Sequence, residues 1–449
     1  MKTFNYLIML GVVMVILSCN YNEEEKNNLV TNTIENQKTM QIPPIEFQVE
    51  LNDSTSEFFT LEVKGSPYDR GFQHGKALRK VIRPTINRFK YDMVASFLKA
   101  TGSNAGWDEY LEFFYNNTGL LNTAKKQVPE LVEEIRGIAD GCGLPFKDVF
   151  AYNLNFDETF WVIEKMTGVD PMLASEKSHI NNMPTGHCSH GSVWGNEKAS
   201  VAYTLDWTRH FEGSQALIKH VKKDGTVLLM TTYAGTLIGH GINATNGYTF
   251  TPHSKFQLEH DVDNGLAQIF IYRKLIEAGS VANAIAFLEN VKPAAGLAYS
   301  LTDKNGTRVF EISSNKIVEF KTDGNWMGVC NVARINNDLS SSYKKEFNVT
   351  KNIQIDKLPA LYWDYNKDSE NRFELISAGV KGKTPSEMTP QAWEKIFLQK
   401  PINKPVSEKL ATSNLWHVIT IDKDYIDYYV SPGNPGKFPL EEYRFKYSK

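Results

Sequence analysis

The stretch Gly186-His187-Cys188-Ser189-His190-Gly191-Ser192-Val193-Trp194 divides the chain into two parts with different patterns. Upstream of it, apolar residues recur at helical spacing over residues 68–98 and 108–137. Downstream of it, short runs with the alternation of β-strands follow in quick succession. A cysteine, Cys188, therefore stands at the border between a mainly helical and a strand-rich part of the chain.

The segment before this border, residues 166–186, is rich in turn residues and predicts an exposed loop, where a chain can be cut. After the border, strands are expected at 192–194, 200–205, 215–221, 226–232 and 236–242, as a meander of one antiparallel sheet. Helices are expected at 266–278, 281–291 and 393–399, and further strands at 56–63, 296–302, 308–312, 417–421 and 425–430. The pattern favours an α+β fold with two sheets and helices outside them.

The N-terminus has the features of an export signal. Lys2 precedes an apolar run over residues 6–17, which is short for a permanent membrane span. The run ends in Ile16-Leu17-Ser18-Cys19, which resembles the lipobox of bacterial lipoproteins; the alternative is an uncleaved anchor. We therefore expect a signal peptide at 1–18, a lipid anchor on Cys19, a polar tether at 19–41 and a location in the bacterial cell envelope.

Composition narrows the possible partners. The 449 residues carry a net charge of -3, from 49 basic and 52 acidic side chains, with no dense Lys/Arg stripe, so nucleic acid is not expected as a partner. The four cysteines are Cys19, Cys142, Cys188 and Cys330. If Cys19 carries lipid, three remain and cannot all pair within the chain. A leftover thiol is explained by catalysis or by burial in the core, and the core is expected for Cys142 and Cys330.

Several short motifs surround the cysteine in a fixed order. They are Arg70-Gly71-Phe72-Gln73-His74-Gly75, Gly137-Ile138-Ala139-Asp140-Gly141, Cys188 itself, Asp206-Trp207, Gly241-Ile242-Asn243 and Cys330-Asn331. This set resembles the acyl-coenzyme A:6-aminopenicillanic acid acyltransferase family, which are cysteine N-terminal nucleophile (Ntn) hydrolases, over most of the chain after Ile42. The resemblance implies a four-layer αββα sandwich with a mainly helical N-terminal segment, and it implies no cofactor.

The resemblance also implies a site. The precursor is expected to cut itself between His187 and Cys188, and the resulting chains, 42–187 and 188–449, are expected to stay associated. Cys188 would then be the nucleophile, and its freed α-amine, with a reference pKa of about 8, would be the base. Asn331 and Asn243 would donate to the oxyanion, and Asp206 would hold the substrate or the charged amine.

The chain departs from the family pattern at two points. His187 stands where such precursors commonly have glycine, and Val332 stands where the family usually has a histidine. The chain could instead stay whole, with His187 or His190 as the base. Structural roles are open for Asp206 and Asn243, as turn residues, and one is favoured for Arg70 with its glycines. No metal is expected, because the two histidines beside Cys188 lack further ligands.

The expected activity is cleavage of a linear amide in a small acyl-amide substrate, through a thioester on Cys188. Water is the favoured acceptor over an amine, since acyl-coenzyme A should be scarce outside the cytoplasm. Two alternatives remain open. One is a phospholipase-B-like enzyme that acts on lipid acyl groups, and the other is a surface lipoprotein that binds ligands without catalysis.

Overall fold

The computed structural model of the protein describes residues 58–177, 187–350, 353–404 and 411–447. They all belong to one compact unit, Phe47–Lys449. The expected signal peptide, Cys19 and the tether lie outside the described residues. Among the residues described, no helix is both long and apolar enough to cross a membrane.

The N-terminal part is helical, as the apolar spacing predicts. Among the described residues before the border, one strand, β1 (Phe59–Lys64), precedes nine helices and a π-helical segment (Phe89–Val94). The helices are α1 (Pro67–Ala77), α2 (Arg79–Arg88), α3 (Ala95–Ala100), α4 (Trp107–Asn117), α5 (Leu120–Gln127), α6 (Pro129–Cys142), α7 (Phe146–Asn153), α8 (Asp157–Thr167) and α9 (Pro171–Lys177). The loop expected from residue 166 is therefore wrong in its first half, which is helical, and residues 178–186 lie outside the described chain.

The other thirteen strands follow the border. They are β2 (His187–Gly195), β3 (Lys198–Thr208), β4 (Gln215–Val221), β5 (Val227–Tyr233), β6 (His240–Asn243), β7 (Tyr248–Ser254), β8 (Leu297–Asp303), β9 (Gly306–Ile312), β10 (Ile317–Phe320), β11 (Trp326–Val329), β12 (Ala411–Ile421), β13 (Tyr425–Ser431) and β14 (Glu441–Lys446). The first sheet has the order β1-β4-β5-β6-β7-β8-β9-β10, and the second has the order β11-β2-β3-β12-β13-β14.

The expected single meander is wrong, because the chain changes sheets between β3 and β4. The hairpin of β2 and β3 lies in the second sheet, whereas β4 to β7 pair in the first. The turn at Arg209–Phe211 makes the change, and Thr208 caps it by accepting from the His210 amide. Alternation along each strand cannot reveal such a change, since strands of both sheets bury one or both faces in the same way.

Helices contact both sheets. On the first sheet, α10 (Gln268–Ala278) contacts β6 and β7, and α11 (Val281–Leu288) contacts β8. On the second sheet, α14 (Lys367–Val380) contacts β11 and β2, and the sheets contact each other through β2 and β3 against β7 to β9. Three more helices are α12 (Ser341–Glu346), α13 (Ala360–Tyr365) and α15 (Pro390–Phe397). The α+β class with two sheets is confirmed; the helices α12 to α14 were not expected.

The upstream motifs pack two helices together. A Cβ on Gly71 would lie 1.9 Å from the Glu134 carbonyl oxygen, and one on Gly75 would lie 2.1 Å from that of Ile138, so α1 and α6 approach backbone to backbone. Arg70 donates to the Gly65 carbonyl after β1 and to the buried Glu134 carboxylate of α6. The structural role favoured for this motif is confirmed, and its main partner is a helix.

Candidate active site

Cys188 is the second residue of β2, where it pairs with Leu205 of β3. Its side chain is buried and 5% exposed. Strand alternation puts Cys188 on the same face as His190, which is hydrogen-bonded through Nδ1 to Thr251 of β7. The cysteine therefore faces the first sheet, between the two layers of strands.

Strand register brings Asn331 to this cysteine. β11 pairs with β2 in antiparallel fashion, with Val329 opposite His190, so two further residues place Asn331 opposite Cys188. The Cys188 amide donates to Asn331 Oδ1 at 2.9 Å, and Asn331 Nδ2 donates to the Ser254 carbonyl at 3.1 Å. An amide nitrogen has two protons, so one N–H of Asn331 is left for a developing oxyanion.

The loop that carries Asn331 is fixed without the histidine that the family pattern would supply. The hydroxyl of Ser369 accepts from the amides of Asn331 and Val332, at 2.9 and 2.8 Å. The Lys255 ammonium donates to the carbonyls on either side of Asn331, each at 2.7 Å, and lies 3.4 Å from Glu311. Burial lowers the pKa of Lys255, and the Glu311 carboxylate counteracts this effect. The departure at Val332 therefore leaves the loop well anchored.

Arg372 of α14 is a site residue that the sequence analysis missed. Its Nη1 donates to the Cys188 carbonyl at 2.8 Å and to Ser189 Oγ at 2.9 Å, and its Nη2 donates to Asn331 Oδ1 at 3.1 Å. Its Nε is paired with Asp368 one helical turn earlier. A signal was present in the sequence, because the buried face of α14 consists of Ser369, Arg372, Ile376 and Val380, and an arginine at apolar spacing is unusual.

Asp206 lies close to the thiol. It is fully buried on β3, and its backbone pairs with His187 across the hairpin. Burial raises the pKa of the Cys188 thiol to about 12, a hydrogen bond with Tyr203 opposes this rise, and the negative charge of Asp206 adds to it. The thiol of the uncut chain is therefore protonated at neutral pH, and attack on a carbonyl needs a base.

His190 is poorly suited to be that base. Its Nε2 is hydrogen-bonded to Ser192 Oγ at 3.0 Å, and its Nδ1 is hydrogen-bonded to Thr251 Oγ1 at 2.9 Å. Burial lowers its pKa to about 3. The side chain of His187 lies outside the described part of the structure.

Asn243 is not brought to the other three predicted residues. It pairs with Tyr248 at the start of β7, whereas Asn331 contacts Ser254 at the other end of that strand. At about 3.3 Å per residue, this places Asn243 roughly 20 Å from the Asn331 contact. Its amide donates to the Ile276 carbonyl and accepts from the Asn246 amide, which fits the structural alternative of a turn residue.

Two acidic residues upstream of the border also reach the site, and the sequence analysis missed them. Asp157 and Glu158 open α8 and are fully buried. Asp157 Oδ1 accepts from the hydroxyl of Ser254, whose carbonyl in turn accepts from Asn331. The N-terminal helical part thus contributes side chains to the surroundings of Cys188.

The remaining cysteines are core residues, as expected. Cys142 and Cys330 are buried free thiols, and Cys330 packs in the apolar cluster beneath the second sheet. Among the described residues, no three His, Cys, Asp or Glu side chains are grouped so that they could hold a metal ion.

Comparison with known proteins matches part of the chain to a family. No curated protein matches the chain. A family model matches the segment that begins just after the β2–β3 turn and contains Asp206, Asn331 and Arg372, while Cys188 lies upstream of it. The family comprises acyltransferases and hydrolases. The resemblance predicted from the motifs is confirmed: residues 198–418 match the acyl-coenzyme A:6-aminopenicillanic acid acyl-transferase family.

Proposed function

We propose that this protein is a cysteine Ntn-type hydrolase that cleaves a C–N amide bond through a thioester on Cys188. The observation that carries the proposal is the Asn331 amide held against the Cys188 backbone nitrogen, with Arg372 bound to both residues. The contacts of α10 and α11 with one sheet and of α14 with the other support a four-layer αββα sandwich.

Self-cleavage would begin at the start of β2. The Cys188 thiol attacks the carbonyl carbon of His187, a C–S bond replaces the C–N bond, and the nitrogen leaves as the α-amine with the proton of the thiol. Water then cleaves the thioester and releases the His187 carboxylate and the free thiol. The new α-amine takes the place of the amide that donates to Asn331 Oδ1, and the buried Asp206 carboxylate balances its charge when it is protonated.

The freed amine would supply the missing base. A thiol with a pKa of about 12 is not ionised at neutral pH, whereas an α-amine with a pKa of about 8 can accept its proton. The thiolate attacks the substrate carbonyl, Asn331 Nδ2 donates to the oxyanion, and the ammonium returns the proton to the leaving amine. Water then cleaves the thioester to give the free acid, which regenerates the thiol.

The intact mass of the purified protein tests this sequence of steps. We expect two fragments, one that ends at His187 and one that begins at Cys188, and both cleavage and amidase activity should be lost in Cys188→Ala. Cys142→Ala is the matched control, because Cys142 is also a buried free thiol but lies on α6. An uncut chain with full activity would refute the role of the α-amine, and an active Cys188→Ala variant would refute the nucleophile.

We further propose that a lipid on Cys19 holds the first fragment at a bacterial membrane. The catalytic fragment would then be retained through contacts between the fragments, such as the buried hydrogen bond from Ser254 to Asp157. Labelling with a radioactive fatty acid should mark only the first fragment, and Cys19→Ser should abolish the label. Equal labelling of the variant would contradict the anchor.

A further inference from the structure

Asp157 and Glu158 are two buried acids without a neutralising cation. Neither has exposed surface, and in each carboxylate one oxygen, Asp157 Oδ2 and Glu158 Oε2, has no hydrogen-bond partner. Their other oxygens accept from Ser254 Oγ at 2.8 Å and from the Gln268 backbone amide at 2.6 Å. Among the described residues, no Lys, Arg or His side chain forms an ion pair with either carboxylate or lowers its pKa. Burial of a carboxylate costs free energy unless a hydrogen-bond or charge partner is present.

Two other buried side chains, Gln268 and Tyr299, also have polar atoms without a hydrogen-bond partner. The side-chain amide of Gln268 has neither its donor nor its acceptor engaged, and the Tyr299 hydroxyl has no partner, although both residues are fully buried. The Gln268 backbone amide donates to Glu158. Burial raises the pKa of Tyr299, and the charges of Glu158 and Asp157 add to this rise. Four fully buried side chains therefore have unsatisfied donors or acceptors, which native cores rarely leave without a ligand.

This cluster adjoins the nucleophile. Asp157, Ser254, Asn331 and the Cys188 amide are joined by three successive hydrogen bonds. Burial raises the pKa of Tyr272, and the charges of Tyr299, Asp157, Cys188 and Glu158 add to this rise. A group bound by Asp157 would therefore be linked to the Cys188 backbone through Ser254 and Asn331.

The electrostatics favour a cationic ligand. Burial, together with the charge of Glu158, raises the pKa of Asp157 well above its usual value, and burial raises that of Glu158 to about 7. A bound ammonium would stabilise both ionised carboxylates and could donate to their free oxygens and to Gln268 Oε1. The helix dipole at the start of α8 favours acidic residues there. It does not explain why the Gln268 side-chain amide and the Tyr299 hydroxyl lack hydrogen-bond partners.

We propose that Asp157, Glu158, Gln268 and Tyr299 form an acidic subsite that binds a primary ammonium group of the substrate, so that the enzyme selects amides with a free amine near the scissile bond. The inference rests on the proposed function of Cys188, and it adds the substrate class. It also gives the N-terminal fragment a direct part in specificity, since Asp157 and Glu158 lie before the expected cut.

Matched substrates test the subsite in the mature wild-type protein. One pair is γ-aminobutyryl and pentanoyl p-nitroanilide, and the other is N-hexanoylputrescine and N-hexanoylpentylamine; within each pair a methyl group replaces the amine. At least one amine-bearing substrate should be preferred in kcat/KM by about 30-fold or more, as expected for a buried charge pair. The ratio should collapse in Glu158→Gln and persist in Asp170→Asn, a control at another buried acid, which caps α9.

A binding measurement separates the failure of the subsite from the failure of the proposed function. The mature wild-type protein should bind putrescine, which has no amide bond to cleave, in calorimetry at pH 6. Binding should release protons, because Glu158 and Asp157 ionise when the ammonium binds. Equal turnover within both pairs, or no putrescine binding, would overturn the subsite while leaving the amidase intact. Putrescine binding without turnover of any substrate would support the subsite and sink the proposed function.

Discussion

The substitution Arg372→Met tests how the site is held together. Methionine keeps much of the volume of this fully buried side chain but removes the hydrogen bonds to the Cys188 carbonyl, Ser189 Oγ and Asn331 Oδ1. Asp368 keeps a partner, because it is also paired with Lys404 at 3.2 Å and its side chain is 39% exposed. The substitution therefore removes the hydrogen bonds of three acceptors around the nucleophile.

The size of the effect follows from those contacts. Leaving buried acceptors unsatisfied costs about 1–3 kcal/mol each, and removal of a buried charge returns part of this cost, so we expect a loss of about 3 kcal/mol in the free energy of unfolding. Because Asn331 and the Cys188 backbone lose a shared anchor, kcat should fall about 100-fold with a smaller change in KM.

Urea unfolding and steady-state kinetics measure the two effects, with Arg334→Met as the matched control. Arg334 pairs with Glu370 on the same helix, but its side chain is 23% exposed, so its removal should cost under about 1 kcal/mol and leave kcat within about threefold. Wild-type kcat and stability in Arg372→Met, or equal losses in both variants, would refute the positioning role of Arg372.

Three further predictions follow from the packing and the charges. Asn331→Ala should lower kcat by about 100- to 1,000-fold as an oxyanion donor, whereas Asn243→Ala should change thermal stability and leave kcat near the wild-type value; the reverse order in a kinetic assay would restore Asn243 to the site. Gly75→Ala should destabilise the fold by about 1–3 kcal/mol in urea, because its Cβ would meet the Ile138 carbonyl oxygen at 2.1 Å. Stability should also fall from pH 6.5 to pH 5, since buried histidines with lowered pKa stay neutral in the folded state and become protonated only on unfolding. These histidines are His74, His190, His210, His220, His240, His253 and His417. The raised pKa values of Asp157, Glu158 and Asp170, the last two about 7, act in the opposite sense, so the net slope should be on the order of 3 kcal/mol per pH unit, and a flat urea-stability profile over this range would contradict it.

The local sequence pattern was enough to predict helices, strands and part of the candidate site. Helical and strand periodicities report which face of a segment is buried, and this information is local, so α10, the β8–β9 hairpin and β13 were found near their true bounds, whereas β12 begins six residues before the expected start. The order of motifs selected Cys188, Asp206 and Asn331, which the structure brings together around one strand pair.

The sequence pattern could not predict which strands pair when they lie far apart in the chain. Whether β4 continues the sheet of β3 or starts another depends on partners far away in the chain, and so does the position of Asn243, which lies at the other end of β7 from Asn331. For the same reason the sequence pattern missed Arg372, Lys255 and Asp157. Each comes from a different element and is identified as a site residue only by its contacts.

The sequence by itself therefore determined the nucleophile candidate, the α+β class and the resemblance to an acyltransferase family, because composition, periodicity and motif order are properties of the chain alone. The tertiary structure decided which polar residues surround that nucleophile. Hydrogen bonds and buried charges act only over a few ångströms, and only folding brings residues from the helical N-terminal part, both sheets and α14 within that range of Cys188.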